Sequence, residues 1–583
     1  MPNKIVYIDE TLGAAENAYV SDAPCAQDGI AGLGGDFFSE RSQESVLSFE
    51  GNGMPTIYGK DRQVYKGDEF GFISRECADE AGRLTETYLS IYFKSEMTYS
   101  GNWIHLVFAE NTSVAYTVSF YRGGKLIEAF HTDTDRTPGA LYAPVRNFDY
   151  IYIRFTKTDP LSFVKLKCVL FYKKIIIEDF EILNTFQKVY PFCDDVAVGS
   201  MEATFRKSEN LQLLANQKLL LYHNEELIGT YYLESYTKEA DDVYSIKAVD
   251  ALGKLDNETD YGAFAGSLSN VTLGNLFSGD ESDVEFDYPK NQPIAPARTH
   301  LSSEISEDVY GAFYKQMVGQ TGLYNRRTTL CHVCFATQQM ACADAQGRIR
   351  FIRPDYFNLP SYTTKYIGAD RIIGNAKVSN HSEVTGVVVY VRTLRNRGTA
   401  AGTKQSYADG IINDTVQKVV VPLNPNVSYP GAVQVSYNKT EDTDNVKYSI
   451  YPSAVVLEHD NCNTQYTIKR EPYEETEDAY QKKESVPYGS KENVVEYKGY
   501  DLFVRGIDNE KVMRDFIEYL FERHKKNTRY VDAEIILNGT TLGIGDLIQI
   551  ETKHDGEITG LITEMETTVG YNSMTAKVVI EQW

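Results

Sequence analysis

The C-terminal segment, residues 530–583, constrains the fold most, because it reads as four strands separated by turn signals, of which the first alternates polar and apolar residues. The first stretch is Tyr530-Val-Asp-Ala-Glu-Ile-Ile-Leu537, and Asn538-Gly539 follows it directly. Asp555-Gly556 is a two-residue hairpin signal between two later stretches. Because alternation with a period of two places apolar side chains on one face of a strand, the segment predicts a small closed β-module. A barrel that ends a long chain favours a role in assembly.

The length and aromatic content indicate several domains built mainly from strands. A chain of 583 residues exceeds what one hydrophobic core supports. It holds 42 Tyr and 27 Phe against 2 Trp, which favours β-structure because aromatic side chains fit a pleated surface. The sequence therefore predicts a mainly β, multi-domain protein with a small α+β part, in which an N-terminal β-sandwich precedes barrel-like domains.

The excess of acidic side chains argues against some classes of binding partner. The chain carries 58 basic and 82 acidic side chains, a formal net charge of −24. Binding to nucleic-acid phosphates requires clustered Lys and Arg, so this balance argues against it. The charge suits a surface that nucleic acid passes without adhering, and it also suits simple solubility. The N-terminus lacks the apolar region of a signal peptide, and no run approaches the roughly 18 apolar residues of a membrane span. We therefore expect a soluble protein made in a cytoplasm, without a membrane anchor.

The eight cysteines show no regular disulfide framework, so we expect reduced thiols. Cys331, Cys334 and Cys342 form a metal-like cluster, but zinc requires a fourth ligand at matching spacing. His332 lies between the first two and would point elsewhere on a helix. On a helix, Cys331 and Cys334 share one face with Phe335, and buried thiols behave as small hydrophobes. Zinc stays open as the alternative, while the sequence predicts no metal and no cofactor.

Short strands separated by turns are predicted in the N-terminal part. Residues 1–39 form a looping lead-in segment, and residues 40–172 form the β-sandwich. Residues 115–121 and 126–130 are predicted to pair across Arg122-Gly123-Gly124-Lys125. Strands at this regular spacing are typical of a sandwich.

The middle of the chain predicts a β-unit and then a small α+β part. Residues 173–256 form the first β-unit, with a turn at Asn224-Glu225. Residues 257–370 contain predicted helices at about 304–320 and 328–341, followed by a hairpin across Ala345-Gln-Gly347.

Residues 371–583 predict a second β-region, in which strands at 371–393 and 495–583 flank an inserted mixed β-domain at 394–494. Glu383-Val-Thr-Gly-Val-Val-Val-Tyr-Val391 is nearly all apolar, which predicts a strand covered on both faces. Residues 394–410 are expected to form an exposed loop. Asp508 or Asn509 can cap a helix that extends to about Asn527. Its apolar residues follow i, i+3, i+4 spacing: Val512, Met513, Phe516, Ile517 and Leu520.

Three short motifs follow one another along the chain. In the first, Asp195-Val-Ala-Val-Gly199 precedes a strand, and Ala248-Val-Asp250 closes the same β-unit. In the second, a predicted helix leads into the hairpin Asp344-Ala-Gln-Gly347. In the third, a Gly-Asp pair opens an apolar strand within Leu542-Gly-Ile-Gly-Asp-Leu-Ile-Gln-Ile550. In this order the motifs resemble those of hub proteins of phage tails and phage-derived tail-like particles, the tail-associated or baseplate-hub family of phages that infect Gram-positive hosts. The likeness spans residues 172–583.

The resemblance implies a trimeric structural protein without catalysis of its own. In this family, two barrel-like domains from each of three copies form a six-fold pseudo-symmetric ring that meets the hexameric tail tube. Here the barrels would be residues 173–256 and residues 371–393 with 495–583. Such a ring pairs sheet edges between subunits, so that no edge stays exposed.

The implied partners are the tail-tube protein, the distal tail or baseplate proteins with their side fibres, and a tip or spike protein. DNA would pass through an acidic lumen during ejection without binding to it. The implied location is the virion tail or a tail-like particle, assembled in the bacterial cytoplasm.

The N-terminal sandwich resembles the jelly-roll accessory domains attached to such hubs, some of which bind sugars. Trp103, Tyr116, Tyr121 and Tyr152 could offer stacking faces for a glycan, or they could fill the sandwich core. An outward bracket for side fibres or neighbouring baseplate proteins is the other expected role. The alternative to the hub is a monomeric surface-glycan adhesin, a receptor-binding tail protein with the later domains as its stalk.

The candidate acidic pairs do not predict an enzyme. Adjacent Asp194 and Asp195 point to opposite faces of a strand, so they cannot share a substrate. Glu304 and Asp308 would lie one turn apart on a helix, which is typical of a solvated face or a cap.

Nucleophilic and phosphate-binding motifs are also not predicted. Cys331 and His332 face apart on a helix and do not form a nucleophile–base pair. Gly398-Thr-Ala-Ala-Gly-Thr-Lys404 departs from the phosphate-binding loop, whose Lys directly follows the second Gly. The sequence therefore predicts that the protein is not an enzyme.

Overall fold

The computed structural model describes residues 3–10, 18–22, 46–49, 55–58, 72–74, 76–93, 98–108, 113–132, 141–170, 172–208, 211, 213–262, 264–265, 284–287, 317–320, 322–352, 364–397, 402–412, 418–427, 429–438, 446–459, 464–489, 491–500, 502–504, 509–537, 542–570 and 573–583. The chain folds into two compact units. The N-terminal unit comprises Ile5–Ile177 and Leu211–Leu220, and the C-terminal unit comprises Met1–Lys4, Glu178–Asn210 and Leu221–Trp583. Strands make up most of the described residues, which confirms the mainly β, multi-domain class.

The N-terminal part is a two-sheet sandwich. One sheet has the strand order β10-β7-β12-β5 and the other β2-β6-β11-β8-β9, while β1 pairs with β13 and β3 with β4. Buried side chains from both sheets form one core, with Leu89, Phe148 and Phe155 among the most deeply buried. The strands are β1 Lys4–Glu10, β2 Ala18–Asp22, β3 Val46–Phe49, β4 Pro55–Tyr58, β5 Phe72–Ile73, β6 Tyr88–Phe93, β7 Tyr99–Phe108, β8 Ala115–Arg122, β9 Lys125–Thr132, β10 Leu141–Phe148, β11 Tyr150–Lys157, β12 Lys165–Leu170 and β13 Tyr172–Ile177.

The Gly-Gly hairpin forms as predicted, and part of the expected lead-in is strand. Strands β8 and β9 pair across Gly123 and Gly124, which have φ angles of 53° and 75°. Positive φ at both turn residues suits the right-handed twist of the paired strands. The looping lead-in at 1–39 contains β1, which pairs with β13, and β2, which pairs with β6. The rest of the lead-in lies outside the described residues.

The strands that follow β13 are β14 Phe180–Lys188, β15 Ser200–Arg206, β16 Lys218–His223, β17 Glu226–Lys238, β18 Val243–Val249, β19 Thr259–Asp260, β20 Phe264–Ala265, β21 Met317–Gln320, β22 Tyr324–Asn325, β23 Met340–Ala343, β24 Ile349–Ile352, β25 Lys365–Ile367, β26 Ile372–Asn380, β27 Gly386–Asn396, β28 Gln405–Ile412, β29 Lys418–Pro422, β30 Val433–Tyr437, β31 Val446–Ile450, β32 Ala454–His459, β33 Thr464–Arg470, β34 Tyr473–Lys483, β35 Val494–Tyr500, β36 Leu502–Val504, β37 Arg529–Ile536, β38 Leu547–Thr552, β39 Gly556–Val569 and β40 Met574–Gln582. The α-helices in the described ranges are α1 Ala251–Lys254, α2 Arg326–Thr337 and α3 Asn509–Lys526.

One sheet joins the first β-unit to the last strands of the chain. Within the C-terminal unit its order is β17-β18-β15-β14-β39-β40-β37-β26, and every neighbouring pair is antiparallel. Strand β38 pairs with the first half of β39, and β25 pairs with β38 in parallel. Buried residues on one face of the terminal strands, such as Val531, Ile562 and Ile580, belong to the largest core.

The terminal strands curl towards a barrel. Strands β25 and β26 lie at opposite ends of the order β25-β38-β39-β40-β37-β26, yet they are separated along the chain only by Gly368 and the 3-10 turn Ala369–Arg371. The predicted terminal strands and the hairpin before Gly556 are present. Among the described residues no pairing joins β25 to β26, so the sheet stays open at that point and the prediction of a closed β-module is wrong.

Strand β27 does not belong to the curled sheet, which corrects its assignment to the strands at 371–393. It pairs with β34 and β35 in a separate sheet. The predicted burial on both faces is confirmed, because Val387, Val388 and Val389 are all buried although they alternate between faces. Helix α3 packs with this strand in one core.

The expected loop at 394–410 is largely strand, so that prediction is wrong. Residues 394–396 end β27 and residues 405–410 belong to β28, while 398–401 lie outside the described residues. Arg397, directly after β27, forms an ion pair with Glu474 on β34. In the described part of the insert, six strands form the two three-stranded sheets β28-β33-β30 and β29-β32-β31, while β34 pairs with β27.

The helix predictions succeed in part. Helix α3 is confirmed over Asn509–Lys526 and buries Phe516 and Leu520, while Asp508 lies outside the described residues. Helix α2 ends at Thr337, before the predicted boundary at 341, because Gln338 has a left-handed φ of 53°. Of the helix expected at 304–320, the described part is strand β21, so that part is wrong. No helix in the described part of the chain is long and apolar enough to span a membrane.

Candidate functional site

The first motif is held together by the buried carboxylate of Asp250. This side chain accepts hydrogen bonds from the backbone N–H groups of Gly199 at 2.9 Å and Leu252 at 3.0 Å, so it caps helix α1. Burial raises the pKa of Asp250 to about 7, although the hydrogen bonds from the backbone N–H groups act to lower this pKa. A Cβ atom at Gly199 would lie 2.5 Å from the Asp250 carboxylate, so the approach requires glycine. The structure therefore brings together both halves of the motif.

The second motif is a hairpin that packs against the first β-unit. The Asp344 carboxylate accepts from the backbone N–H of Arg348 at 2.8 Å and from its guanidinium at 2.8 Å. The hydroxyl of Thr230 on β17 donates to the Ala345 carbonyl at 2.7 Å. Residues of β23 share a core with Leu252 of the first motif. The hairpin is thus fixed to the first motif's β-unit.

The third motif packs against the second. The Asp546 carboxylate accepts from the backbone N–H of Gly543 at 2.8 Å and from Lys365 at 2.6 Å. The Arg350 guanidinium donates to the Ile544 carbonyl at 3.1 Å. Gly545 has a φ of +78°, and a Cβ atom there would overlap Ile352 of β24. We call the three motif turns, at Gly199 with Asp250, at 344–347 and at 543–546, the three-turn cluster.

Two ion pairs, of which the one at Arg326 is buried, tie helix α2 to the same cluster. Asn325 caps the helix by accepting from the Thr328 N–H at 2.8 Å. Arg327 donates to the Val196 carbonyl and to the Asp256 carboxylate, both at 2.7 Å. Arg326 is almost fully buried and lies 2.6 Å from Glu258. These contacts fix the helix in one orientation, because breaking a buried pair is costly.

The cysteine cluster is apolar. Cys334 and Cys342 are buried in the largest core, and burial raises the pKa of both thiols. Burial also raises the pKa of Cys331 to about 12, and its thiol donates to the Asp194 carbonyl at 3.4 Å. Zinc binds thiolates, which this environment disfavours. The described residues contain no group of three or more side chains that could hold a metal ion.

The candidate acidic residues Asp194 and Asp195 lie in the loop between β14 and β15, so the expectation that they occupy a strand is wrong. Burial raises the pKa of Asp194, while the Asp195 carboxylate accepts from the Val196 N–H at 2.7 Å. His332 is buried between the rings of Tyr324 and Tyr500. Glu304 and Asp308 lie outside the described residues.

The structure separates the four predicted glycan residues. Tyr116 is 1% exposed and fills the sandwich core, where burial raises its pKa. Trp103 is 9% exposed and lies on the other sheet, with its ring 4.8 Å from that of Tyr142. Tyr121 and Tyr152 lie on the outer face of the five-stranded sheet, on strands β8 and β11. Two of the four therefore share a surface.

Three further tyrosines lie on that outer face. The ring of Tyr150 is 4.3 Å from that of Tyr92 and 5.2 Å from that of Tyr121, because the three residues are directly opposite on neighbouring strands. The rings of Tyr88 and Tyr152 are 5.4 Å apart. The Tyr150 hydroxyl lies 3.1 Å from that of Ser90, and burial together with the neighbouring tyrosines raises its pKa. We call Tyr88, Tyr92, Tyr121, Tyr150 and Tyr152 the tyrosine row.

Comparison with known proteins gives distant likenesses only. No protein-family model and no curated protein matches the chain. The fold is similar to the 43 kDa tail protein of prophage MuSo2 from Shewanella oneidensis, at 8% identity and a TM-score of 0.36 over 70% of this chain and 95% of that one. A tail protein from Neisseria meningitidis MC58 has 6% identity and a TM-score of 0.37, over 70% and 94% of the two chains. Prophage tail protein gp18 from Listeria monocytogenes EGD-e has 10% identity and a TM-score of 0.35, over 70% and 91%.

Proposed function

We propose that this chain is the structural hub of a phage tail or tail-like particle baseplate, and that it works as a trimer. The observation that carries the proposal is the antiparallel pairing of β14 with β39, from Asn184 opposite Thr568 to Lys188 opposite Glu564. This pairing places the first β-unit and the terminal β-unit on one continuous sheet. The two β-units of each copy are therefore held side by side at a fixed angle.

The fixed pair of β-units is what a ring with six-fold pseudo-symmetry requires. Three copies with two β-units each supply six similar units around one axis, which matches a hexameric tail tube. The three-turn cluster supports this role, because it locks the small α+β part against both β-units through Thr230 and Ile352.

The contact between copies is assigned to strand β26. Within the described part of the chain, β26 pairs only with β37, so its other edge is open. Ile373 on this strand is 41% exposed. An open strand edge with an exposed apolar residue is suited to pairing with another chain. Pairing between copies at this edge would continue the sheet around the ring.

The remaining assignments follow from the hub role. The partners are the tail-tube protein on one side and distal baseplate, tip or spike proteins on the other. DNA passes through the lumen without adhering, for which the net charge of −24 is suited. The protein acts by assembly and not by catalysis, in a virion tail or tail-like particle that is assembled in the bacterial cytoplasm.

Electron microscopy of the purified protein tests the proposal. The hub account expects ring-shaped particles with three-fold symmetry and six similar densities around a central channel. Particles of a single copy at every concentration, with or without a hexameric tail-tube protein added, would contradict it.

The tyrosine row favours a second candidate function, glycan binding by the N-terminal sandwich. Tyrosine rings combine a flat apolar face with a hydroxyl, as a sugar-binding surface requires. Tyr92 is 40% exposed on this face. The test is a glycan panel in which Tyr92→Ala and Tyr150→Ala lose binding, while Tyr236→Ala, at a tyrosine 39% exposed in the C-terminal unit, retains it. Equal binding by all three variants would remove this candidate.

A further inference from the structure

A cleft of about 240 Å³ lies in the C-terminal unit, between Tyr261 and the insert sheet β29-β32-β31. Its polar and aromatic lining is Tyr261, Tyr451, Lys418, Lys447, Ser449 and Glu458, with buried Val456 as the floor. We call it the two-lysine cleft. Its residues are separated by up to about two hundred positions in the chain, so the sequence alone gives no indication of it.

Strand register brings the charged residues of the cleft to one face. Lys418 on β29 and Lys447 on β31 are both directly opposite Glu458 on the central strand β32. The next residues on the same face are Val456 and, opposite it, Ser449. The cleft is therefore part of a regular sheet, and its side chains keep fixed spacings.

Tyr261 forms a wall of the cleft. The hydroxyl of Ser453 donates to the Tyr261 carbonyl at 2.5 Å, and the Tyr261 side chain packs with Ala454 and Val456. Its ring centroid is 5.4 Å from that of Tyr451, with an angle of 34° between the planes. Two tilted aromatic rings over an apolar floor offer a flat surface with hydroxyl groups at its rim, which suits a sugar ring.

The charges of the cleft select an anion. The lining holds two ammonium groups against one carboxylate, a local charge of +1 in a chain whose net charge is −24. Lys418 lies 3.3 Å from Glu458, and its ammonium is 5.8 Å from the centre of the Tyr261 ring. Among the described residues, Lys447 has no ion-pair partner within 4 Å. The cleft therefore presents an ammonium beside the aromatic wall for a negatively charged substituent.

We propose that the two-lysine cleft binds an acidic saccharide, with the sugar ring against Tyr261 and Tyr451 and its carboxylate or phosphate at Lys447. The Ser449 hydroxyl would donate a hydrogen bond to a sugar hydroxyl or accept one from it, and the Glu458 carboxylate would accept one. The proposal does not depend on the hub function, since none of the cleft residues belongs to β26 or to the three-turn cluster.

Saturation-transfer NMR on the full chain, followed by titration, tests the proposal. The probes are D-glucuronate, D-glucose 6-phosphate, D-glucose and inorganic phosphate. At least one acidic sugar is expected to bind more tightly than both D-glucose and inorganic phosphate. Glucuronate and glucose 6-phosphate distinguish a carboxylate from a phosphate as the preferred group.

Substitutions at Lys447 test whether the acidic sugar binds in the two-lysine cleft. Lys447→Ala is expected to weaken the preferred acidic sugar about tenfold, while Lys447→Arg retains most of the affinity. Lys447 is exposed, so its loss leaves the fold intact. Lys469→Ala, at an exposed lysine outside the cleft, is the matched control and should bind as the parent does. An unchanged affinity in Lys447→Ala, or binding of D-glucose as tight as that of the acidic sugars, would overturn the proposal.

Discussion

Gly545 and Gly556 have the same left-handed backbone conformation in different surroundings. Their φ angles are +78° and +73°. A Cβ atom at Gly545 would overlap Ile352, whereas a Cβ atom at Gly556 would have nothing within 4 Å. Substitutions at the two glycines therefore distinguish two effects on stability. Both introduce the strain of a left-handed residue, but only a substitution at Gly545 also disturbs the contact between the third motif and the second.

Alanine substitution at these glycines should have unequal effects. Gly556→Ala is expected to lower the free energy of unfolding by about 1 kcal/mol through backbone strain alone. Gly545→Ala should lower it by about 2–4 kcal/mol, because overlap with Ile352 adds to the strain. Adding Ile352→Val should restore part of the loss. Urea unfolding measures this with Trp583 as the reporter in a Trp103→Phe background, and equal losses would show that the motif contact contributes nothing.

His332 should make stability depend on pH. Burial, with help from Arg392, lowers the pKa of its imidazole to about 4 in the folded state. Above the ordinary value of about 6.5 both states are neutral, and as the pH falls from 6.5 to 4 only the unfolded chain gains the proton. The folded state should therefore lose about 2–3 kcal/mol over that range relative to a His332→Phe variant. Unfolding at pH 7, 6, 5 and 4 checks this, and parallel curves for the two proteins would contradict it.

Single residues of the candidate sites were predictable where chemistry depends on local sequence. The Gly and Asp residues of the three motifs could be named, because a tight turn needs them within a few positions. The tyrosine row could be named only in part, since Tyr121 and Tyr152 were predicted but Tyr88, Tyr92 and Tyr150 were not. Alternation places Tyr150 and Tyr152 on one face, but the register of β6, β8 and β11 decides which tyrosines meet.

Helix α3 shows how an element is stabilised by one face. Phe516 is 3% exposed, and its ring centroid lies 5.5 Å from that of Phe335 on helix α2. Glu518, two positions on, forms an ion pair with Lys482 at 2.9 Å on the exposed side. Phe516 and Glu518 therefore allow the contribution of a buried aromatic ring to stability to be compared with that of an exposed ion pair on the same helix.

Alanine substitution should lower stability more on the buried face of helix α3 than on its exposed face. Phe516→Ala is expected to destabilise the protein by about 3–5 kcal/mol, because it leaves a cavity among aromatic rings. Glu518→Ala should change stability by about 0.5 kcal/mol, since exposed ion pairs contribute little. Thermal unfolding of both variants measures the difference, and similar melting temperatures would mean that the helix does not depend on this core.

Elements with strong local periodicity were predictable, and elements fixed by distant partners were not. Helix α3 and the terminal strands follow clear patterns of apolar residues. Strand β28 was expected to be part of a loop, because its sequence is polar and its ladder with β33 involves residues some sixty positions away. Strand β27 was assigned to the wrong sheet for the same reason. Its apolar sequence predicts that the strand is buried, but it does not predict which strands pair with it.

The proposed hub depends on a strand pairing that no local sequence pattern predicts. The pairing of β14 with β39 links segments nearly four hundred residues apart and makes one sheet of the two β-units. The open edge of β26 then lies at the end of that sheet. If copies meet there, a charge placed on the edge should separate them without unfolding the subunit.

A charged variant of the edge strand tests this contact. Ile373→Lys places an ammonium in the proposed subunit interface, where an unpaired charge is costly. Ile411→Lys, at an isoleucine 60% exposed on the insert, is the matched control. The edge variant should lose the trimer and keep the thermal stability of a folded subunit, while the control should stay trimeric.

Light scattering of the purified protein across a concentration series tests the central claim most directly. The hub account predicts a constant mass near three times 65.8 kDa for the parent chain and for Ile411→Lys, and 65.8 kDa for Ile373→Lys. A parent mass of 65.8 kDa at every concentration, unchanged when a hexameric tail-tube protein is added, would contradict the account.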